Sequence, residues 1–511
     1  MTRIGSGPAR CAIVPAVLAL TAAPALADGL RVVTWNITNY SGGRIADIQN
    51  VVYGQFEGRS MSPDAILVQE VLSQSAVNDM LSALNTAPGS PGDWAAAPFI
   101  NGNDTDNAFF YRTSKAQLDL ASVIATGSGP PNHPRDVNRY DITLTGYDGA
   151  PGKIFMYCSH MKAGSASDDQ ARRLLEAQRI RDNAETLPPQ SNFLFGADTN
   201  IQTSGQAAYV ELVGSQSNNT GRFFDPISTP GSWNNNSAYR FVHTQDPIGA
   251  GGMDDRHDQL LISATLFDGN GIDYIGQQSI PYSTTTWNDP NHSYRVWGND
   301  GTSFDSTLRT TGNTMVGPSI AQSIQVCAAG GGHIPVYLDL RVPSVLDADT
   351  VIDFGDVALN SLASLDLSVA NAGNVALWGA SGVATLSYTL NAPAPFSVAS
   401  GPHTDAAGGS GNTHAITLDT SSVGDFERTL TIGSNDPFHQ VAQVTLRANV
   451  IAACLADWNL SGGAPDSSDF LAYLNDWTAG VPRADLAPEG GDGEFDSSDF
   501  LAFLNLFVAG C

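Results

Sequence analysis

Six times in the first two thirds of this chain, polar residues stand at an end of an apolar run. The six words are Thr34-Trp35-Asn36, Val68-Gln69-Glu70, Ser159-His160, Ala197-Asp198-Thr199-Asn200, His257-Asp258-Gln259 and Gly332-His333. Short β-rich runs such as Arg31-Val32-Val33-Thr34-Trp35, Ile66-Leu67-Val68, Lys153-Ile154-Phe155-Met156-Tyr157 and Asn192-Phe193-Leu194-Phe195 alternate with helical stretches. The clearest helix is predicted from Ser167 to Glu185, which is rich in Ala, Leu, Arg and Glu with apolar residues recurring at helical spacing. Buried strands with helices between them predict a layered α/β domain from Leu30 to about Pro343.

The rest of the chain changes character. Between residues 345 and 450, Val351-Ile352-Asp353-Phe354-Gly355, Ala363-Ser364-Leu365-Asp366-Leu367-Ser368-Val369 and Ala442-Gln443-Val444-Thr445-Leu446 alternate apolar with polar and are separated by turn residues. That pattern predicts a β-sandwich. The words Asp353-Phe354-Gly355, Asn371-Ala372-Gly373 and Ser434-Asn435-Asp436-Pro437 resemble an immunoglobulin-like module, which implies a spacer or adhesive role. Residues 451–511 hold an internal repeat, in which Asp466-Ser467-Ser468-Asp469-Phe470-Leu471-Ala472 returns as Asp496-Ser497-Ser498-Asp499-Phe500-Leu501-Ala502. An acidic loop feeding an apolar helix, twice, resembles dockerin. The resemblance implies Ca²⁺ at Asp457, Asn459, Ser461, Asp466 and Asp469 in the first loop and at Asp485, Asp492, Asp496 and Asp499 in the second. It also implies a cohesin-like or other cell-surface partner. Both loops are longer than the usual dockerin spacing, and the alternative reading is a helix-capping box at Asp466 and Asp496.

Arg3 and Arg10, an uncharged run from Ala12 to Pro24, and Ala25-Leu26-Ala27 before Asp28 read as a secretory signal peptide over residues 1–27. That run is short for a bilayer span and no later segment is long enough, so the expected product is soluble and either secreted or attached to the cell surface. Three modules follow the leader: 28–344, 345–450 and 451–511. The formal net charge of −27 is the wrong sign for nonspecific attraction to phosphate, so nucleic-acid binding requires a local basic or metal-neutralised site. Solubility in a saline exterior is the plainer account of the acidity. Without Cys11 the cysteines are Cys158, Cys327, Cys454 and Cys511, which permit three connectivities. Position favours Cys454 with Cys511, which bracket the last module; Cys158 and Cys327 lie shortly before His160 and His333, and a second bridge between them is expected if those words end strands that converge.

In order and residue type the six words resemble the endonuclease/exonuclease/phosphatase superfamily, the metal-dependent phosphoesterases built like deoxyribonuclease I. The resemblance implies an α+β fold, a four-layer α/β sandwich with two packed mixed β-sheets between helical layers and the site at one edge. Hydrolysis of a phosphodiester near neutral pH needs a metal to absorb charge, a base to activate water, and donors around the transition state. Glu70, at a strand terminus, is expected to be the principal metal ligand, with Asn36 adding a neutral oxygen; hard oxygen ligands suit Mg²⁺ or Mn²⁺. Asp198 and Asn200, two apart on an extended backbone, are expected on one face. By resemblance Asp198 positions the attacking water and Asn200 donates to the phosphate, an Asx turn being the alternative. His160 and His333 are expected at strand ends, bracketing the phosphate as base and as acid or clamp. The resemblance gives Asp258 the task of orienting His333, so that the two form a base dyad.

Arg139 falls where the family often places a phosphate-contacting arginine, with Arg135 as an open neighbour, and Tyr111 reads as strand packing. One position departs from the family: it usually writes Ser-Asp-His where this chain has Gly331-Gly332-His333. The missing carboxylate is expected to weaken metal affinity, and Gly332→Asp to raise activity at limiting Mg²⁺. The implied activity is an exported divalent-metal-dependent phosphodiesterase, first of all an extracellular nuclease. Alternatives are a phosphomonoesterase or phospholipid headgroup hydrolase of the same fold, and a surface-attached binding protein with a decayed site.

Overall fold

The computed structural model describes residues 29–510, apart from 250, 329–331, 453, 462, 463, 489 and 490. The leader read over 1–27 and Cys511 therefore lie outside the described residues. The chain is a mixed α+β protein with several sheets, and it divides into two units. The first takes in the chain to Thr145, Lys153–Ala264 and Tyr274–Leu340; the second takes in Gly146–Gly152, Thr265–Asp273 and the chain from Arg341.

The strands of the first unit are β1 (Leu30–Tyr40), β2 (Ala65–Val71), β3 (Trp94–Ala96), β4 (Asp106–Arg112), β5 (Ala116–Ala125), β6 (Val137–Leu144), β7 (Lys153–His160), β8 (Asn192–Asp198), β9 (Phe223–Phe224), β10 (Asp258–Ser263), β11 (Asp273–Tyr274), β12 (Arg295–Val296) and β13 (Val336–Arg341). One sheet runs β11-β13-β1-β2-β4-β3 with β12 on β13, and the other runs β5-β6-β7-β8-β10-β9. Both are mixed. β1 lies parallel to β2 and antiparallel to β13, while β7 lies parallel to β8, which is antiparallel to β10.

Side-chain parity sorts these strands into two faces. With α1 at Ile45–Tyr53 and α2 at Gln74–Thr86, Phe193, Phe195 and Ala197 on the second sheet join Ala177, Ile180 and Ala184 of α3 (Ser167–Glu185) in one apolar cluster, together with Ala208, Tyr209 and Leu212 from Ala207–Val213. The alternate residues Leu194, Gly196 and Asp198 face the other sheet. The two sheets approach so closely there that a Cβ on Gly196 would stand 2.6 Å from Leu67 Cδ1 and 3.1 Å from Thr34 Cβ. The helices Ile45–Tyr53, Gln74–Thr86 and Gly317–Cys327 pack among themselves against the first sheet, through contacts such as Trp94 Nε1 to Tyr53 Oη at 2.6 Å and Trp297 Nε1 to the Val51 carbonyl at 3.0 Å. The layers are thus helix, sheet, sheet, helix.

The second unit carries two further sheets whose apolar faces share one core, including Leu367, Val369 and Ile416 from one and Tyr388, Leu430 and Val444 from the other. Its C-terminal part is built on two helices, Ser467–Thr478 and Ser497–Ala509, with Tyr473 stacked on Phe503 at 3.9 Å and Trp458 edge-on to both. Among the described residues no helix is long and apolar enough to cross a membrane.

The cysteines correct one expectation. Cys158 lies within β7 and Cys327 ends a helix, not a strand, and both are buried, free thiols, so they do not form the second bridge. Burial pushes each thiol up to about 12. Cys454 is disulfide-bonded.

Candidate active site

The registers of the two sheets bring the six words together. Asn36 pairs with Gln69 between β1 and β2, His160 with Asp198 between β7 and β8, and Asp198 with Asp258 between β8 and β10. Asn36, His160, Asp198 and Asp258 take the inward parity of their strands. Glu70 needs a further device, because strict alternation after the inward-facing Gln69 would turn it outward. Its backbone is left-handed, with φ 63°, inside a register shift between Val68 and Val71, and this re-aims its carboxylate inward.

Asp198 is the hub. Its Oδ2 accepts from Asn36 Nδ2 at 2.9 Å and lies 3.2 Å from His160 Nε2 and 3.5 Å from His333 Nε2. Its Oδ1 accepts from the backbone N and Nδ2 of Asn200 at 3.1 and 2.9 Å. Glu70 Oε1 accepts from Asn36 Nδ2 at 3.0 Å and Oε2 from the Asn39 backbone N at 2.7 Å. His333 Nδ1 is 2.6 Å from Asp258 Oδ2. His333 stands ahead of β13, not at a strand end, and its segment is fixed by Ile334 N donating to the Thr244 carbonyl at 3.0 Å.

Burial and charge divide the two expected histidines. Burial pushes the His160 imidazole down to about 4 against the pull of Asp198, so it is neutral. Burial also opposes the charge on His333, but Asp258 and Asp198 outweigh it and raise the group to about 10. The His333–Asp258 dyad therefore holds a proton at neutral pH. Asp198 is buried, yet the charged His333, helped by the Asn36 amide, keeps it ionised well below the usual carboxylate range.

These residues fit a divalent cation. Glu70, His160 and Asp198 present ligand atoms within 4.8 Å of one another, and so do Asp198, Asp258 and His333. The first group is the better cradle: His160 Nδ1 is buried without a hydrogen-bond partner, 3.6 Å from Glu70 Oε1. In the second, His333 and Asp258 are already bonded to each other. The donor set is therefore mixed imidazole and carboxylate, where the sequence pointed to oxygen alone. Asn36 presents its nitrogen to Glu70, while its Oδ1 accepts from Thr38 N at 3.0 Å.

Several further expectations change. Arg139 is not at the site: it faces the α3 side, paired with both oxygens of Asp141 at 2.8 and 3.1 Å, bonded to Asn183, and stacked over Phe155. Arg135 is the arginine that reaches the His160 and Met161 carbonyls, each at 3.4 Å, while pairing with Asp104 at 3.0 Å. Asn200 is not extended but left-handed, with φ 52°, and an Asx turn to Asp198 holds it. The Asx turn offered as the alternative is therefore present.

In the tail, Asp466 and Asp469 form a capping box, as do Asp496 and Asp499. Asp469 accepts from the Asn459 and Asp466 amides, and Asp499 from those of Leu486, Ala487 and Asp496. Asp457 and Asn459 both accept from Ser461 N, and Asp485 from the amides of Asp492 and Gly493. Among the described residues, the clusters of three or more His, Cys, Asp or Glu side chains with ligand atoms within 4.8 Å of one another are the two at Asp198. His257, part of a quoted word but given no role, lies beside the site with its ring centroid 6.2 Å from that of His333.

No protein-family profile matches the chain, and no curated protein is similar to it. Similar solved structures include a humanised D. rerio TDP2 at 11% identity, covering 61% of this chain and 99% of that one with a TM-score of 0.37. An endonuclease/exonuclease/phosphatase family protein from Bacteroides thetaiotaomicron shares 14% identity over 61% of this chain and 97% of its own, with a TM-score of 0.35. The human Nocturnin catalytic domain shares 13% identity over 62% and 96%, with a TM-score of 0.36.

Proposed function

We propose that this chain is a divalent-metal-dependent phosphoesterase, and first of all a nuclease acting on phosphodiester bonds outside the cytoplasm. The observation that carries the reading is that Asn36, His160, Asn200 and His333 all meet the buried Asp198 carboxylate, with Glu70 bonded to Asn36 and Asp258 to His333. Glu70, with His160 and Asp198, would hold the cation. Bound there, it would neutralise charge on the phosphate and acidify water.

The chain's own groups do the rest. Asp258 fixes the Nδ1 proton of His333, leaving Nε2 to face Asp198 and the reaction space as the atom that takes or returns a proton. The pair is charge-neutral overall, and what it presents to the phosphate is the Nε2 proton of His333. Asn200 Nδ2 is bonded to Asp198 Oδ1 at 2.9 Å and to the Met161 carbonyl at 3.3 Å, so it donates to a phosphate only by exchanging one of these bonds. The apolar leader and the disulfide at Cys454 support export, and the second unit is read as a spacer with a surface-attachment tail.

The test incubates the mature chain with plasmid DNA, RNA, bis-p-nitrophenyl phosphate and sphingomyelin in Mg²⁺, Mn²⁺ or EDTA. Cleavage of nucleic acid that EDTA abolishes is expected. His333→Ala and Asp258→Asn should each lower kcat by roughly 10²- to 10⁴-fold. Cleavage of sphingomyelin alone would replace nuclease by headgroup hydrolase, and metal-independent turnover that survives His333→Ala would sink the assignment.

A further inference from the structure

The first unit buries six histidines among its described residues: His133, His160, His243, His257, His292 and His333. Three are structural. His133 meets the Arg135 carbonyl and Arg179 at 2.7 and 2.6 Å, His243 the Met253 and Trp233 carbonyls at 3.2 and 3.0 Å, and His292 the Tyr274 hydroxyl and Ile280 carbonyl at 3.1 and 2.9 Å. His160 and His333 belong to the site above. His257 remains, 7% exposed, with both ring nitrogens buried and neither hydrogen-bonded. An imidazole stripped of water on both nitrogens is costly to keep unless something else binds it.

Its Nε2 points at a carboxylate. Asp255 Oδ1 lies 3.6 Å away, too far for a hydrogen bond. At ordinary metal–ligand lengths, two atoms on one ion stand about 3 to 3.6 Å apart. The same 3.6 Å gap separates His160 Nδ1 from Glu70 Oε1, where the catalytic cation fits. Asp255 also belongs to a crowded acidic group. The amides of Asp254 and Asp255 both donate to the Gln245 carbonyl, at 2.9 and 3.4 Å, next to Asp246. Among the described residues no Lys or Arg pairs with Asp246, Asp254 or Asp255, and Asp255 is met by the neutral Asn234 amide at 2.9 Å. The backbone of Gln245 bridges to both Asp255 and His333, tying this cluster to the dyad.

We propose that His257 and Asp255 hold a second divalent cation, distinct from the one at Glu70, with Asp246 and Asp254 offsetting its charge. One imidazole among carboxylates selects a transition metal such as Mn²⁺, Co²⁺ or Zn²⁺ over Mg²⁺. This site stands apart from the proposed activity, since it is defined by binding alone.

The experiment titrates the full mature chain with Co²⁺, in the absence of substrate, and follows both stoichiometry and the paramagnetically shifted imidazole N–H resonances. Oxygen-only loops in the tail give no such resonances. His257→Ala and Asp255→Asn should each remove one imidazole-ligated Co²⁺ or weaken it at least tenfold, whereas Glu70→Gln should leave that signal in place. His257→Gln, closer in volume, is included with melting curves to separate lost ligation from lost folding. Isotherms and spectra of His257→Ala and Asp255→Asn that superimpose on wild type overturn the proposal, even if activity falls, since His257 would then contact substrate instead. Absent phosphoester hydrolysis with the Co²⁺ signal intact would overturn the proposed function and leave this site standing.

Discussion

A side chain at position 332 would have to share space with Thr38. A Cβ there overlaps Thr38 Oγ1 and comes within 2.8 Å of Thr38 Cβ and 3.1 Å of Ala328 Cα. Thr38 is itself pinned, left-handed at φ 58° with its amide bonded to Asn36 Oδ1. The expectation that Gly332→Asp restores a family carboxylate therefore fails on volume. Both Gly332→Ala and Gly332→Asp should destabilise the fold by about 1–3 kcal/mol and displace Asn36. Melting temperature and activity at limiting Mg²⁺ read this out; a variant with unchanged melting and higher activity would restore the original expectation. The identities of Asn36, Glu70, His160, Asp198, Asn200, Asp258 and His333 were legible because chemistry restricts residue type at the ends of apolar runs. Their aim was not: Glu70 and Asn200 reach inward through left-handed backbone that no alternation rule foresees. Parity could have corrected Arg139, which shares the outward face of β6 with Asp141 while Asn138 and Tyr140 point in.

At the scale of elements, the Ser167–Glu185 helix and the strands that carry the first five words were readable because each combines period and composition without ambiguity, whereas the sixth word follows a helix. Positions set by tertiary contact were not, as with Cys327 at a helix end. The packing of α3 on β7 carries a buried acid of this second kind. Glu176 accepts from Ser159 Oγ beside His160, its Oε2 has no partner, and burial raises its carboxyl from 4.5 to about 8. Between those values the folded chain keeps a proton that the unfolded chain has released. Stability from this group is thus complete below the unfolded value and is lost as pH climbs toward the folded one. From pH 5 to pH 8 the wild type should lose on the order of 3 kcal/mol more than Glu176→Gln, whose amide still accepts from Ser159. Urea midpoints at the two pH values measure the difference, and parallel declines would mean that Glu176 is ionised throughout.

Over the whole molecule the charge works against the proposed substrate. The formal charge is −27, and the cations near the site are committed within the fold. Arg135 pairs with Asp104, Lys162 with Asp169, Arg256 with Asp225, and Arg173 with the Lys162 and Gly164 carbonyls. A polyanion approaching this protein meets a repulsive field that a cation bound at the proposed site would offset at close range. Screening shortens that field from about 30 Å at 0.01 M salt to about 8 Å at 0.15 M. The usual nucleic-acid binder releases counterions and loses affinity as salt rises. Here the opposite is expected: kcat/KM on long DNA or RNA should climb several-fold over that range while bis-p-nitrophenyl phosphate, with a single charge, stays nearly flat. A steep fall with salt on the polymer would show that a basic surface guides the substrate after all, and that the acidity is confined to faces the nucleic acid never meets.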